Sequence, residues 1–370
     1  MNWGELITLE YGKPVKDKES TDGKVPVYGT NGQIGTSHLP AQCKHPSFIL
    51  GRKGAYRGVH YSDCPFSVID TAFYAEPLTD RIDLKWAYYK FLTYDINGMD
   101  SGSAIPSTDR YQIYSIEVEV PPLEKQRKIV AVLDCIDRKI NINQKVNDNL
   151  EQQAVALFKS WFVDFSLFGG TVPENWEDTT LENITTLITR GIAPKYSDNS
   201  DQTVVNQKCI RNHTIDLSLA RTHTPKAINE KWLKFGDLLI NSTGDGTLGR
   251  VAQVWFAPKA LTVDSHVTIV RPAREELIFY IGLWGILHEK EIESLHTGST
   301  GQTELPRDRV KMLKLLLPDN ISLSRFNSII TPMASTIISN QEENQKLASL
   351  RDTLLPKLMS GEIDVSNIQF

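Results

Sequence analysis

The sequence predicts an α+β protein: two α/β domains in a pseudo-two-fold repeat, separated by two long helices that form an antiparallel coiled coil. Three observations predict it. The 370-residue chain is too long for one average domain. It also reads twice, with matching signals in the same order in each half. Each half then closes on an apolar stripe of helical period, and the two stripes keep a constant offset of 197 residues, as from Ile129 to Phe326.

The first copy opens at Trp3-Gly-Glu-Leu and the second at Trp176-Glu-Asp-Thr-Thr-Leu. β-branched runs broken by Gly, Pro and Asn follow, then an apolar strand that ends in a glycine-rich loop. These strand ends are Phe48-Ile-Leu-Gly-Arg-Lys-Gly-Ala-Tyr-Arg-Gly and Leu238-Leu-Ile-Asn-Ser-Thr-Gly-Asp-Gly-Thr-Leu-Gly-Arg. Helical segments are predicted from Leu84 to Thr93 and from Leu277 to Ser294. A matched loop comes next, Gly102-Ser-Ala-Ile-Pro beside Gly298-Ser-Thr-Gly-Gln-Thr-Glu-Leu-Pro, and a short strand runs into proline at Val118 to Pro121 and Leu315 to Pro318.

After the prolines the apolar positions step by four and three, the seam of a coiled coil. In the first helix the seam is Ile129, Leu133, Ile136, Ile140, Asn143, Asn147 and Leu150, continuing through Ala154, Leu157 and Trp161. In the second it is Phe326, Ile330, Met333, Ile337, Asn340, Asn344 and Leu347, continuing on Leu350, Leu354 and Leu358 until Gly361 caps the helix. Forty helical residues extend roughly 60 Å, beyond what a small domain can cover, so each helix needs a partner. The repeat makes that partner the other helix, run antiparallel, with the seam asparagines setting register. The organisation read from these signals is a first domain over 1–121, a long helix over 122–168, a second domain over 169–320 and a closing helix over 321–370.

A formal net charge of -5 excludes a simple polycation that coats nucleic acid, yet the charge is unevenly spread. Lys44 to His60 holds four Lys or Arg and no acid, and Arg190 to Lys226 holds six against three Asp. No apolar run is long enough for a membrane span, and no signal peptide is visible, so a cytoplasmic protein is expected. The four cysteines are too scattered for a disulfide framework. Catalytic motifs are near misses. Gly244-Asp-Gly-Thr-Leu-Gly-Arg lacks the lysine and following helix of a phosphate loop, Asp63-Cys-Pro-Phe66 reads as a turn, and Asp70 with Asp83-Leu-Lys85 is a chance spacing of acids and lysine. Cys43-x-His45 with His60-x3-Cys64 is a poor match to zinc-ligand spacing, and no metal is expected.

The helix starts carry a resemblance. Pro121-Pro-Leu-Glu-Lys-Gln-Arg-Lys-Ile-Val-Ala-Val-Leu-Asp-Cys-Ile-Asp-Arg-Lys-Ile closely resembles the central helix of the DNA-specificity subunits of type I restriction-modification systems. Gln345-Lys-Leu-Ala-Ser-Leu-Arg-Asp-Thr-Leu-Leu-Pro-Lys-Leu-Met-Ser-Gly-Glu-Ile is similar to their C-terminus. Pro26-Val-Tyr-Gly-Thr-Asn-Gly-Gln-Ile-Gly and Asn241-Ser-Thr-Gly-Asp-Gly-Thr-Leu-Gly-Arg resemble glycine turns of their target-recognition domains. One departure is Asp319-Asn-Ile-Ser-Leu-Ser-Arg-Phe, which lacks the Pro-Leu-x-x-Gln of the first helix; its first turn is expected to fray or to meet a partner differently.

The resemblance implies a non-catalytic reader of double-stranded DNA, each domain reading half of a split asymmetric site. The helices would act as a spacer between half-sites and as a scaffold for two modification (methyltransferase) subunits, through which ATP-dependent restriction subunits join. It implies no cofactor on this chain, with S-adenosylmethionine and ATP with magnesium on the partners, and no membrane partner. For reading DNA, residue type and loop location single out Lys13, Lys16, Asn31, Arg52, Lys53, Tyr56 and Arg57 in the first half. In the second half they are Arg190, Lys195, Tyr196, Lys208, Arg211, Asn212, Thr247 and Arg250. The segment Trp161-Phe-Val-Asp-Phe165 is expected to be exposed and to make the isolated chain poorly behaved. The rival readings are a stand-alone DNA methyltransferase or nuclease with its own recognition domain, which would need a cofactor motif, and a coiled-coil adaptor without DNA binding, which the basic loops disfavour.

Overall fold

The computed structural model describes all residues except Thr21, 100–105, Asp245, 299–302, Asn367 and 369–370. The matched loop anticipated at 102–106 therefore falls mostly outside the described residues, and the one at 298–306 partly so. The chain divides into two compact units, Met1–Asn141 with Glu343–Phe370, and Ile142–Glu342.

The first unit opens on α1 (Trp3–Leu6), whose start is held by Glu5 Oε2 accepting from the Asn2 amide at 2.8 Å. Seven strands follow: β1 (Ile7–Tyr11), β2 (Val25–Gly29), β3 (Gly32–Ser37), β4 (Ser47–Gly51), β5 (Val59–Ser62), β6 (Ser67–Val68) and β7 (Ala72–Pro77). An antiparallel sheet has the order β1-β7-β4-β5, and a smaller one the order β3-β2-β6 with β2 parallel to β6. Every residue of β4 is buried, as its unbroken apolar run requires. α2 (Leu84–Phe91) starts where the Asp83 carboxylate accepts from the amides of Lys85 and Trp86. After α3 (Arg110–Ser115) comes α4 (Leu123–Phe162). Trp3, Phe48, Trp86 and Phe91 build the core together with Leu133 of α4.

The second unit holds β8 (Glu177–Thr180), β9 (Thr185–Arg190), β10 (Thr203–Val205), β11 (Ile210–Arg211), β12 (Thr214–Ile215) and β13 (Arg221–Thr222). It continues with β14 (Leu238–Asn241), β15 (Val251–Gln253), β16 (Leu261–Val263), β17 (Val267–Pro272), α5 (Ile278–Leu287), α6 (Glu289–Ser294), α7 (Arg307–Lys311), β18 (Lys314–Leu317) and α8 (Asn320–Ser360). Its main sheet runs β15-β14-β17-β9, which is the order of the first unit with β9, β17, β14 and β15 standing for β1, β7, β4 and β5. The smaller sheet β13-β10-β16 matches β3-β2-β6, down to one parallel pair in each. The repeat read from the sequence is thus a repeat of topology.

α4 and α8 pack antiparallel. In the first unit Asp137 pairs with Arg351 at 3.0 Å and Lys139 with Glu343 at 3.0 Å, so numbers rise along one helix as they fall along the other. In the second unit Asn340 Nδ2 donates to Asn147 Oδ1 at 2.8 Å. A parallel register would have set Asn340 against its repeat equivalent, Asn143. The polar pair satisfies the buried Asn147 and the half-buried Asn340, whose amides would otherwise be stranded in the seam.

Three expectations about the helices are corrected. Leu350 is 47% exposed; the buried stripe near the end of α8 runs through Leu355, Leu358 and Met359, because the helix turns its face toward the core of the first unit there. Trp161 and Phe162 are buried rather than exposed, packed with Trp176, Tyr280 and Phe326 in the core of the second unit, and only Val163 and Asp164 of that segment face out. The start of α8 is also firmly capped. Asp319 accepts from the amides of Ile321 and Ser322 at 2.8 and 3.0 Å, from Ser322 Oγ at 2.7 Å and from Trp176 Nε1 at 2.8 Å. At the start of α4, Gln126, fully buried, instead ties the first turn to the segments before it: its Oε1 accepts from Asp83 N and its Nε2 donates to Arg81 O and Pro121 O. The missing Pro-Leu-x-x-Gln pattern is therefore replaced by an aspartate cap. Gly361, at φ 78°, ends the helix as anticipated.

Candidate nucleic-acid interface

In the first unit the register of the main sheet brings Tyr11 opposite Phe73 and Ala72 opposite Gly51. The end of β1, the end of β4 and the start of β7 therefore share one edge of the sheet, and the loops that leave them meet. Thr30, in the β2–β3 turn, donates to Lys53 O at 2.8 Å and also contacts Thr71 O, while the amides of Arg52 and Lys53 both reach Thr71 O. This is how Asn31, Arg52 and Lys53 come together. Gly51 is required here: a Cβ on it would lie 2.8 Å from Arg57 Cα, so the returning loop passes too close for any side chain.

The cations at this edge differ in state. Arg52 lies over the Tyr11 ring, 4.7 Å from its centroid, and donates to Asp70 O at 3.1 Å. Lys53 Nζ is 3.8 Å from the Asp70 carboxylate. Arg110, which opens α3, lies 4.8 Å from the same Tyr11 centroid and 5.2 Å from that of Tyr111. Tyr56 is exposed, as are Lys13, Lys16 and Asn31; the structure ties Lys16 to nothing in this group. Arg57 is the correction. It is 2% exposed, and its guanidinium donates inward to Asn97 O at 2.7 Å and, at 3.4 Å, to Ile96 O and Gly54 O. It closes the loop from within and offers nothing to a ligand.

The second unit repeats the arrangement. Arg190 stands opposite Thr268 and Asn241 opposite Val267, at the corresponding sheet edge. Arg190 is ion-paired with Glu304 at 2.7 Å and donates to Leu305 O. The residues of the loop after β14 bond among themselves, Thr247 Oγ1 to Gly244 O and Arg250 to Gly246 O at 2.7 Å. Thr243 Oγ1 meets His266 Nδ1 at 2.6 Å and Gln207 Oε1 at 3.3 Å, and Asn241 Nδ2 donates to Gln207 O, so the turn carrying the exposed Lys208 is drawn to this edge. Arg211 and Asn212 are exposed on the β11–β12 hairpin, where Asn212 and His213 take left-handed backbone at φ 50° and 59°. Lys195 is exposed beside Tyr196, whose ring lies 3.8 Å from the Arg221 guanidinium.

Sequence reasoning missed Tyr11, Arg110 and Tyr111 in the first unit and Gln207, Arg221 and His266 in the second. Arg110-Tyr111 follows an N-cap aspartate, Asp109, but nothing local sends it to Tyr11, which lies 99 positions earlier. The zinc set weighed from spacing does not assemble either. Among the described residues the metal-ligating atoms that do converge are those of Cys43, His45 and Glu76. His45 bonds Glu76 at 2.7 Å and Pro46 O at 3.0 Å; burial pulls its pKa down, and these two partners more than reverse that, so it sits above the ordinary value. Burial pushes the Cys43 thiol up to about 11, which keeps it protonated.

Two copies of one α+β design, each with cations at the same sheet edge and each followed by a long helix, define a duplicated two-domain protein. Residues 2–152 match the family model of the type I restriction modification DNA specificity domain. The chain is 26% identical over 319 residues to the MjaIX type I restriction enzyme specificity subunit of Methanocaldococcus jannaschii, covering 78% of this chain and 71% of that one. It is 21% identical over 353 residues to the HindI specificity subunit of Haemophilus influenzae, covering 75% and 74%. In fold it is similar to the crystal structure of a type I restriction-modification S subunit from M. genitalium, with a TM-score of 0.59, 17% identity and coverage of 97% and 95%. The chain is thus similar to type I restriction-modification specificity subunits, with the family model matching residues 2–152. No helix among the described residues is long and apolar enough to cross a membrane.

Proposed function

We propose that this chain is the non-catalytic, cytoplasmic DNA reader of a type I complex, each recognition domain reading one half of a bipartite, asymmetric site in double-stranded DNA. The observation that carries the reading is the duplicated sheet edge: the loop after β4 bears Arg52 and Lys53, with Asn31 drawn in from the β2–β3 turn, and the corresponding loop after β14 bears Thr247 and Arg250, with Arg190 at the end of β9. Cations on loops at two repeated places suit a protein that meets phosphates and base edges at two places, within an otherwise acidic chain. α4 and α8 hold the half-sites apart and carry two methyltransferase subunits, which bring S-adenosylmethionine and, through restriction subunits, ATP with magnesium. The relatives' printed names support assignment to such an enzyme.

Exchange of Met1 to Pro121 for the same domain of a relative tests this. Co-expressed with the methyltransferase subunit, the chimaera is expected to methylate a motif changed in one half only. Changes in both halves, or methylation by the purified chain alone, would refute the proposed division of labour.

A further inference from the structure

Resting on that DNA-binding reading, we propose that Arg52 and Arg110, both stacked on Tyr11, form a phosphate-binding pair that takes the DNA backbone at the first unit. Both guanidiniums lie within 5 Å of one ring centroid. Among the described residues neither has a carboxylate partner, whereas Lys53 beside them has Asp70 and Arg190 in the second unit has Glu304. Two uncompensated like charges sharing a ring repel each other, and an anion set between them turns that cost into attraction.

The donors are available for it. Stacking occupies the face of a guanidinium and leaves its N–H edge open. Of five donors on each, Arg52 uses one on Asp70 O; Arg110 uses weak contacts of 3.4 Å to Leu9 O and 3.3 Å to Tyr111 Oη, and its Nε is buried without a partner among the described residues. The stack faces solvent, since Tyr11 is 42% and Tyr111 67% exposed. Tyr111 lies edge-on to Tyr114 at 6.0 Å, and Tyr114 Oη in turn accepts from the Leu9 amide at 2.7 Å, so the aromatic side of the site is anchored to β1.

Phosphate, rather than a base edge, follows from how the heads are held. Each guanidinium is pinned on a ring and tied back to a backbone carbonyl, so it stays at the surface of the unit instead of extending into a groove. A phosphate comes to such a surface, and two arginines offer it forked donors from two sides.

The test is binding of the full chain to a labelled mixed-sequence duplex across a salt series, for wild type, Arg52→Gln, Arg110→Gln and the double variant. Each single change is expected to weaken binding roughly three- to tenfold at low salt and to lower the slope of log affinity against log salt by about one, with about two for the double. Arg52→Lys and Arg110→Lys keep a point charge and should restore the slope, which separates a lost phosphate contact from a misfolded unit. Lys311→Gln, which removes a cation paired with Glu182 in the second unit, should leave the slope unchanged. Wild-type slopes in both glutamine variants would overturn the proposal, as would an unchanged slope with a loss confined to one DNA sequence, which is the mark of base reading. A folded wild-type chain that binds no duplex would instead sink the DNA-binding reading beneath it.

Discussion

Arg57→Met separates an arginine that builds the loop from one that meets DNA. The guanidinium of Arg57 makes one short bond, 2.7 Å to Asn97 O, and two long ones of 3.4 Å to Ile96 O and Gly54 O. Methionine fills much of the same volume but donates nothing. The short charge-assisted bond is worth about 1.5–3 kcal/mol, and the stranded carbonyls add a smaller cost that relief of a buried charge partly offsets. A net loss of about 2–3 kcal/mol is expected. For a unit of this size that lowers the melting temperature by roughly 5–10 °C. Calorimetry of the full chain measures it, and duplex binding below the transition should keep the wild-type salt slope. A variant as stable as wild type that loses DNA affinity would refute the inward role, because the side chain would then be working at the surface.

Asp319→Ala should destabilise the chain by about 1–2 kcal/mol near neutral pH by uncapping α8, measured by urea unfolding. Burial raises the Asp319 pKa, but its bonds to Ser322, Trp176 and Ile321 outweigh that and hold it at about 2, below the ordinary 3.8. Its contribution is therefore present above 3.8 and disappears as the pH falls through about 2, where wild type and variant should converge. Glu151 behaves in the opposite sense: burial and the nearby Asp148 push it up to about 7, partly opposed by His213, which itself pairs with Glu289. A raised carboxyl pKa gives stability that is full below the ordinary 4.5 and is lost as pH rises through about 7. Glu151→Gln should accordingly raise the melting temperature at pH 8 and change it little at pH 5; equal effects at both would contradict the burial argument. In the seam, Asn340→Leu alone should destabilise by about 1 kcal/mol by stranding Asn147, and Asn147→Leu added to it should recover that loss or more, giving a positive coupling in a double-mutant cycle.

The chain's duplication and the long helix that closes each half were legible in the amino-acid sequence, because each is carried by local signals. A seam of period 3.5 needs only its own residues to be seen, and Gly361 marks a helix end in the same local way; the caps made by Asp83 and Asp319 reach three positions or fewer but went unread, the start at Asp319 being expected to fray. Which way the helices pair was legible only as an inference from symmetry; Asn340 meeting Asn147 decides it. Sheet order, and the edge at which the cationic loops gather, came from tertiary structure, since β1 pairs with β7 across more than sixty residues. Arg52 and Arg57 show the limit most sharply. They are the same residue type in the same loop, five positions apart, and sequence treats them alike. The loop folds back over Gly51, drives Arg57 under the Asn97 turn and leaves Arg52 on Tyr11 beside Arg110. Burial belongs to the packing of distant segments, so no local pattern could have told the strut from the contact.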